Sequence, residues 1–214
     1  MHIPDGFLPA QVCAAGYALT GGATWLALHQ INKASDPREE IPKAALMTAA
    51  FFVGSSISLP IPPTSVHLIM NGVLGALLGW YAMPAILIGL LLQAVLLGHG
   101  GLITLGINAS MQGIPAVLAG IIFQLHHQFA KPLTPKISLG IFSFLAGTTG
   151  AAIAIIIFFS LINFTIPADI DQGLEQGFLT ALTVTYIPVA LLEGIFTMLL
   201  VFFLRRVKPE LLER

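Results

Sequence analysis

Charge is scarce in this chain of 214 residues: nine Lys plus Arg and ten Asp plus Glu make up 9% of it, against about 25% in soluble domains. A solvent-exposed surface cannot be built from so few, and a net charge of -1 excludes the basic footprint that nucleic acid requires. There is one cysteine, Cys13, so no disulfide framework exists. The chain also lacks the phosphate-cradling G-x-x-x-x-G-K-[ST] loop, the H-E-x-x-H helix and the paired cysteines of a zinc site. ATP hydrolysis by a P-loop is thereby excluded. The opening M-H-I-P-D-G-F has neither the basic start nor the small-residue cleavage site of a secretory signal, so Met1 is expected to remain the first residue.

What the chain has is apolar length. Hydrophobic residues are 56% of it, and seven apolar stretches can be drawn: 8–31, 41–59, 64–82, 84–98, 113–130, 137–164 and 177–204. A bilayer-crossing helix needs roughly 20 residues. The expectation is all-α: one polytopic transmembrane domain over 1–214, a bundle of seven transmembrane helices in the cell membrane. Lys33, Arg38 and Lys43 flank the first connection, Lys131 and Lys136 bracket the fifth, and Arg205, Arg206, Lys208 and Arg214 follow the last span. With the N-terminus outside and the C-terminus cytoplasmic, every one of these falls inside, while Asp5, Asp169, Asp171 and Glu175 fall outside.

Small residues recur at helical spacing in Gly72 to Gly79 and Gly147 to Gly150, the pattern of closely packed membrane helices. The stretch Gly98 to Gly113 is different: uncharged, yet too rich in glycine and polar groups for a lipid-exposed helix. It reads as a re-entrant or cavity-lining loop near 98–113, on the outer side.

The first two residues carry the sharpest chemical signal. A free α-amine, the next backbone nitrogen and the imidazole of a histidine at position two form two fused chelate rings on one metal. Met1 and His2 supply all three, in an N-terminal segment 1–7 whose I-P-D-G, Ile3 to Gly6, favours a β-turn just behind them. All-nitrogen planar coordination suits Ni(II) or Cu(II) and leaves one position for another nitrogen. His67 is the candidate: P-P-T-S-V-H reads as a helix start with Thr64 as cap and His67 in the first turn, at the outer end of the third span. Asp5, Asn71, His99 and Asn108 are candidates to support these ligands, Asn71 one turn below His67. His29, His126 and His127 fall near cytoplasmic ends. Glu193, an acid within a span, is placed in the cytoplasmic half of the last helix, where Glu193→Gln is expected to leave metal binding intact.

The residues M-H-I-P-D-G-F-L-P, V-H-L-I-M-N-G from Val66 and G-H-G-G-L-I-T-L-G-I-N from Gly98 resemble the substrate-binding membrane component of nickel and cobalt energy-coupling factor transporters, the NikM/CbiM type. The resemblance spans essentially the whole chain. It implies a capture protein, not an enzyme, that takes Ni(II), with Co(II) as second choice, on the Met1 amine, the His2 backbone and ring nitrogens and His67. It implies partners as well: a transmembrane scaffold (T) subunit, cytoplasmic ABC-type ATPase subunits and a small accessory membrane subunit. The chain ends at Arg214, short of the longer fused variants. Two other readings compete: an intramembrane metalloenzyme using His67, His99 and Glu193, and a vitamin-binding subunit of the same superfamily, which would not need a Met-His terminus.

Overall fold

Proline sets the first boundaries. The computed structural model describes residues 2–61, 64–130, 134–165 and 172–212; Met1, Lys131, Asp169, Asp171 and Arg214, named above, lie outside them. Pro9 precedes helix α1 (Ala10–Ile31), and its carbonyl accepts from the amides of Val12 and Cys13 at 3.0 and 3.2 Å. Pro42 sits in the first turn of α2 (Ile41–Gly54), where the amide that it lacks would have no helical partner.

Strands follow where a helix is expected. β1 (Ser58–Ile61) and β2 (Thr64–His67) pair antiparallel, with Ser58 opposite His67 and Ile61 opposite Thr64. Pro60, Pro62 and Pro63 withhold amide donors and bias the residues before them towards extended backbone, which disfavours a helix start at Thr64. His67 therefore ends a strand, and Asn71 is not one turn below it on a helix but the first residue of α3.

α3 (Asn71–Leu78), a 3-10 turn at Gly79–Tyr81, α4 (Ala82–Leu92) and a π-helical turn at Gln93–Leu97 follow one another with no intervening loop in a run of 27 residues. The expected spans 64–82 and 84–98 fall together in it, so the described helical runs number six. The run is not straight. Gly79 has φ 52° and ψ -118°, open to glycine and closed to most residues, and the contacts on either side of it run in opposite directions. Going forward, Gly75 meets Ala116 and Gly79 meets Gly120; then Met83 returns to Gly113, and Gln93 reaches the end of α2.

The remaining helices are α5 (Leu105–Gln124), α6 (Pro135–Thr165) and α7 (Gln172–Val207), which continues into a short turn at Pro209–Leu212. Residues 105–113 are thus helical and almost wholly buried, and the expected re-entrant loop shrinks to 98–104. Helix α5 is central, packed on α1, α3, α4 and α6, while α7 packs chiefly on α6. Among the described residues four runs are long and apolar enough to cross a membrane: Asn71–Leu97, Leu105–Phe129, Pro135–Thr165 and Thr185–Val207. Large apolar side chains such as Trp25, Leu46, Ile156 and Phe164 stand exposed, as a lipid-facing surface allows and an aqueous one would not. Cys13 is buried with Ile3, Leu8 and Ile107, so it packs the core.

Candidate metal centre

Three pieces of chain meet at one end of the bundle: the N-terminal segment, the end of β2, and the loop from Gly98 to Thr104. The segment is held by backbone. Ile3 donates its N–H to Asn108 Oδ1 at 2.9 Å, and its carbonyl accepts from Asn108 Nδ2 at 3.0 Å and from the Thr104 hydroxyl at 2.8 Å. Its side chain is buried against Leu8, Cys13 and Ile107. A second tie lies two residues on, where Asp5 Oδ1 accepts from the Thr104 amide at 2.9 Å and its hydroxyl at 3.0 Å, capping the start of α5. A Cβ on Gly101 would collide with the Asp5 carboxylate, so glycine is what lets the acid come so close.

Asp5 is exposed. Its carboxyl nevertheless stays below the ordinary carboxylate range: desolvation, the largest single effect, pushes it up, but the amides of Thr104, Ile103 and Leu102 and the Thr104 hydroxyl together outweigh it. These groups make Asp5 a clasp on the loop.

With Ile3 fixed, His2 is delivered beside the loop. The His2 ring centre is 6.3 Å from that of His99, and His99 is 6.2 Å from His67. An ion held by imidazole lies about 2.0–2.1 Å from the nitrogen and roughly 3 Å from the ring centre, so rings that share an ion are at most about 6 Å apart. His99 stands at that limit from both neighbours. Among the described residues no group of three or more His, Cys, Asp or Glu closes on one point.

The ring nitrogens are prepared for a cation. His2 Nε2 and His67 Nδ1 are buried, and neither has a hydrogen-bond partner among the described residues. Burial, then nearby positive charge, pushes the His2 imidazole down to about 3, with the polar side chain of Gln93 pulling the other way. His67 is likewise held below its ordinary value, first by burial and then by neighbouring positive charge. Both rings are therefore neutral at pH 7, the state in which imidazole binds a metal.

Not every expected residue faces this site. Asn71 is fully buried and donates to the Gly150 carbonyl at 2.9 Å, which ties α3 to α6. Asn108 acts on Ile3 rather than on a ring. Glu193 requires a correction: its carboxylate accepts from the amides of Ile69 and Met70, two and three residues after His67, so it does not lie in the half of the molecule opposite the histidines. Gln93 was not anticipated. It is fully buried and donates to Phe52 O, Ser55 Oγ and Ser56 Oγ at 3.0, 2.7 and 3.0 Å. A lone amide inside the apolar run L-L-Q-A-V was the available signal.

Comparison with known proteins agrees along the full length. The family model described as "Cobalt uptake substrate-specific transmembrane region" matches residues 2–211. A protein of Haemophilus influenzae named for metal transport is 32% identical over 100% of this chain and 98% of its own length. The cobalt transport protein CbiM of Sorangium cellulosum is 30% identical over 100% and 95%. The fused nickel transport protein NikMN of Rhodobacter capsulatus is 30% identical, covering 99% of this chain and 64% of its own. The fold matches the crystal structure of a truncated transition metal transporter with a TM-score of 0.73, at 24% identity over 96% of this chain and 99% of that one.

Proposed function

From the premise that this chain belongs to the cobalt uptake substrate-specific transmembrane family, and is a multi-pass membrane component of cobalt and nickel uptake rather than an enzyme, we propose that it is the substrate-capturing component of an energy-coupling factor transporter. Its substrate is Ni(II), with Co(II) second. The ligands are the Met1 amine, the His2 backbone and ring nitrogens and a His67 ring nitrogen, with His99 beside them. The observation that supports this reading is the Asn108 clamp on Ile3, which brings His2 to the loop that carries His99, with one buried ring nitrogen of His2 and one of His67 lacking a hydrogen-bond partner among the described residues.

The chain crosses the membrane seven times in this reading, with α3 and α4 as separate arms on either side of the reversal at Gly79. Orientation follows from charge. Arg38 lies in the connection after α1, whose Pro37 carbonyl accepts from Tyr81 Oη; Arg205 lies beside His126 at the end of α7. Both lie away from the histidine site, so that site opens to the outside and the basic end is cytoplasmic. Ion release then depends on partners: a transmembrane scaffold, ABC-type ATPases and a small accessory membrane subunit.

The test is the metal content and visible spectrum of purified protein with its native terminus, beside a form carrying an extension of several residues. One added residue is a poor control, because X-M-H places histidine third and can complete a four-nitrogen set alone. Nickel with a square-planar spectrum is expected in the native form only, and His2→Ala and His67→Ala should each abolish that spectrum. Equal binding by native and extended forms would move the ligands elsewhere, to His99 and its loop.

A further inference from the structure

Glu193 lies within the last membrane helix, and metal capture as argued above makes no use of it. It is fully buried. Oε1 accepts from the Ile69 amide at 2.6 Å and the Met70 amide at 3.2 Å, and Oε2 accepts from Met70 at 3.2 Å. These two amides form the joint between β2, which ends at His67, and α3, which begins at Asn71. The joint is bent in an unfavourable way: Met70 has φ 56°, the one positive φ of a non-glycine among the described residues. Two successive amides turned to one side make a nest for an anion, and the carboxylate fills it.

The other end of this contact is firmly seated. Thr197 Oγ1 donates to the Glu193 carbonyl at 2.7 Å, and a Cβ on Gly147 of α6 would meet that carbonyl and Gly194, so α6 and α7 touch backbone to backbone there. The chain from α7 to the His67 ring is therefore short: one carboxylate, two amides and two residues of backbone.

We infer that Glu193 is the positioning residue for His67: it ties the Ile69–Met70 joint to α7 and so sets where the His67 ring stands relative to the N-terminal segment. The inference rests on the capture reading above. Glu193→Gln keeps one acceptor oxygen but turns an N–H donor towards the joint, so His67 moves while Met1 and His2 stay.

The experiment is a nickel titration against a chromophoric competitor, on the full chain with its native terminus in detergent. Glu193→Gln is expected to weaken binding about 10–100-fold, the range for groups that orient a ligand. The signature is its dependence on background. In His67→Ala, the residual nickel held by the terminus should be unchanged by Glu193→Gln, whereas combined with Asn108→Ala the two losses should multiply. Loss by the same factor in the His67→Ala background, or wild-type affinity in the single variant, would overturn the proposal.

Hydrogen exchange on the unaltered protein adds a check that no variant can confound. The Ile69 and Met70 amides should exchange slowly, and more slowly with nickel bound; exchange that ignores nickel would count against the proposal. His2→Ala separates the two ideas. Nickel retained by His2→Ala refutes the chelate and this inference with it, whereas nickel lost by His2→Ala and kept by Glu193→Gln refutes the positioning role alone.

Discussion

Asn108 grips Ile3 with both ends of its amide, accepting from the N–H at 2.9 Å and donating to the carbonyl at 3.0 Å. The pairing copies the two-bond exchange of neighbouring strands, made by a side chain on a buried helix. Asparagine satisfies both halves, and neither aspartate nor leucine can.

Asn108→Asp should therefore keep the bond from the Ile3 amide and lose the one to its carbonyl, while Asn108→Leu should lose both. Nickel affinity is expected to fall about 10-fold in the first and towards 100-fold in the second. Competition titration on native-terminus protein reads this, and equal affinities across the three proteins would show that the clamp does not place the terminus.

Ile3→Ala should act through packing. The side chain fills a buried group with Leu8, Cys13 and Ile107, and such truncations cost about 2–5 kcal/mol. A lower melting temperature of the metal-free protein in detergent is expected, together with weaker nickel binding. An unchanged melting temperature would mean that the segment docks only when metal is present.

Gly101→Ala should push Asp5 off the start of α5, because the added methyl collides with its carboxylate. Nickel affinity should drop roughly 10-fold, since Asp5 fixes the far side of the turn that delivers His2. Asp5→Asn, which keeps an oxygen acceptor, should lose less. If Asp5→Asn proves the more damaging of the two, charge rather than fit is the role of the acid.

The pH dependence has two separate origins. His2 has a folded-state pKa of about 3 against an ordinary 6.5, so the unfolded chain takes up the proton first as pH falls. Its contribution to stability is complete above about 6.5 and is lost progressively as pH falls towards 3. Nickel binding follows another group: the terminal amine, with a reference pKa of about 7.7–8.0, must lose its proton, so affinity should rise from pH 6 to 8. The His2 ring, already neutral, should add no step near 6.5. Titration calorimetry in two buffers measures the protons released, and a step in nickel affinity near 6.5 in the unaltered protein would contradict this account.

Most of the helical content could be read from the sequence because apolar length survives packing, and α1, α6 and α7 fall close to where composition places them. The failures share a cause. At 64–67 the prolines outweigh the capping pattern, and the chain is extended there. At 105–113 the glycines and polar groups point to a loop, yet Asn108 is paired with Ile3, the Ser110 hydroxyl with the Ile107 carbonyl, Gly106 admits α1 and Gly113 admits Met83 of α4. Polar residues in a membrane helix look misplaced until their partners are known, and the partner of Asn108 is 105 positions away. Glu193 is the clearest case: its partners are 123 and 124 positions away. His2, His67 and His99 could be nominated because chelation is local chemistry, whereas Gln93 and Thr104 could not, because their worth lies in what they hold.

The fixed place of Ile3 also changes the entropy of capture. Ordering a residue costs about 1–2 kcal/mol, and a loose seven-residue tail would have to meet that cost when the ion arrives. Here folding has already ordered the chain from Ile3 onward and set the His2 ring beside the loop. The terminus is preorganised, and an ion that leaves restores little disorder to the protein. Binding of this kind is governed by bond-making and dehydration rather than by a folding transition, and its heat capacity change should be small.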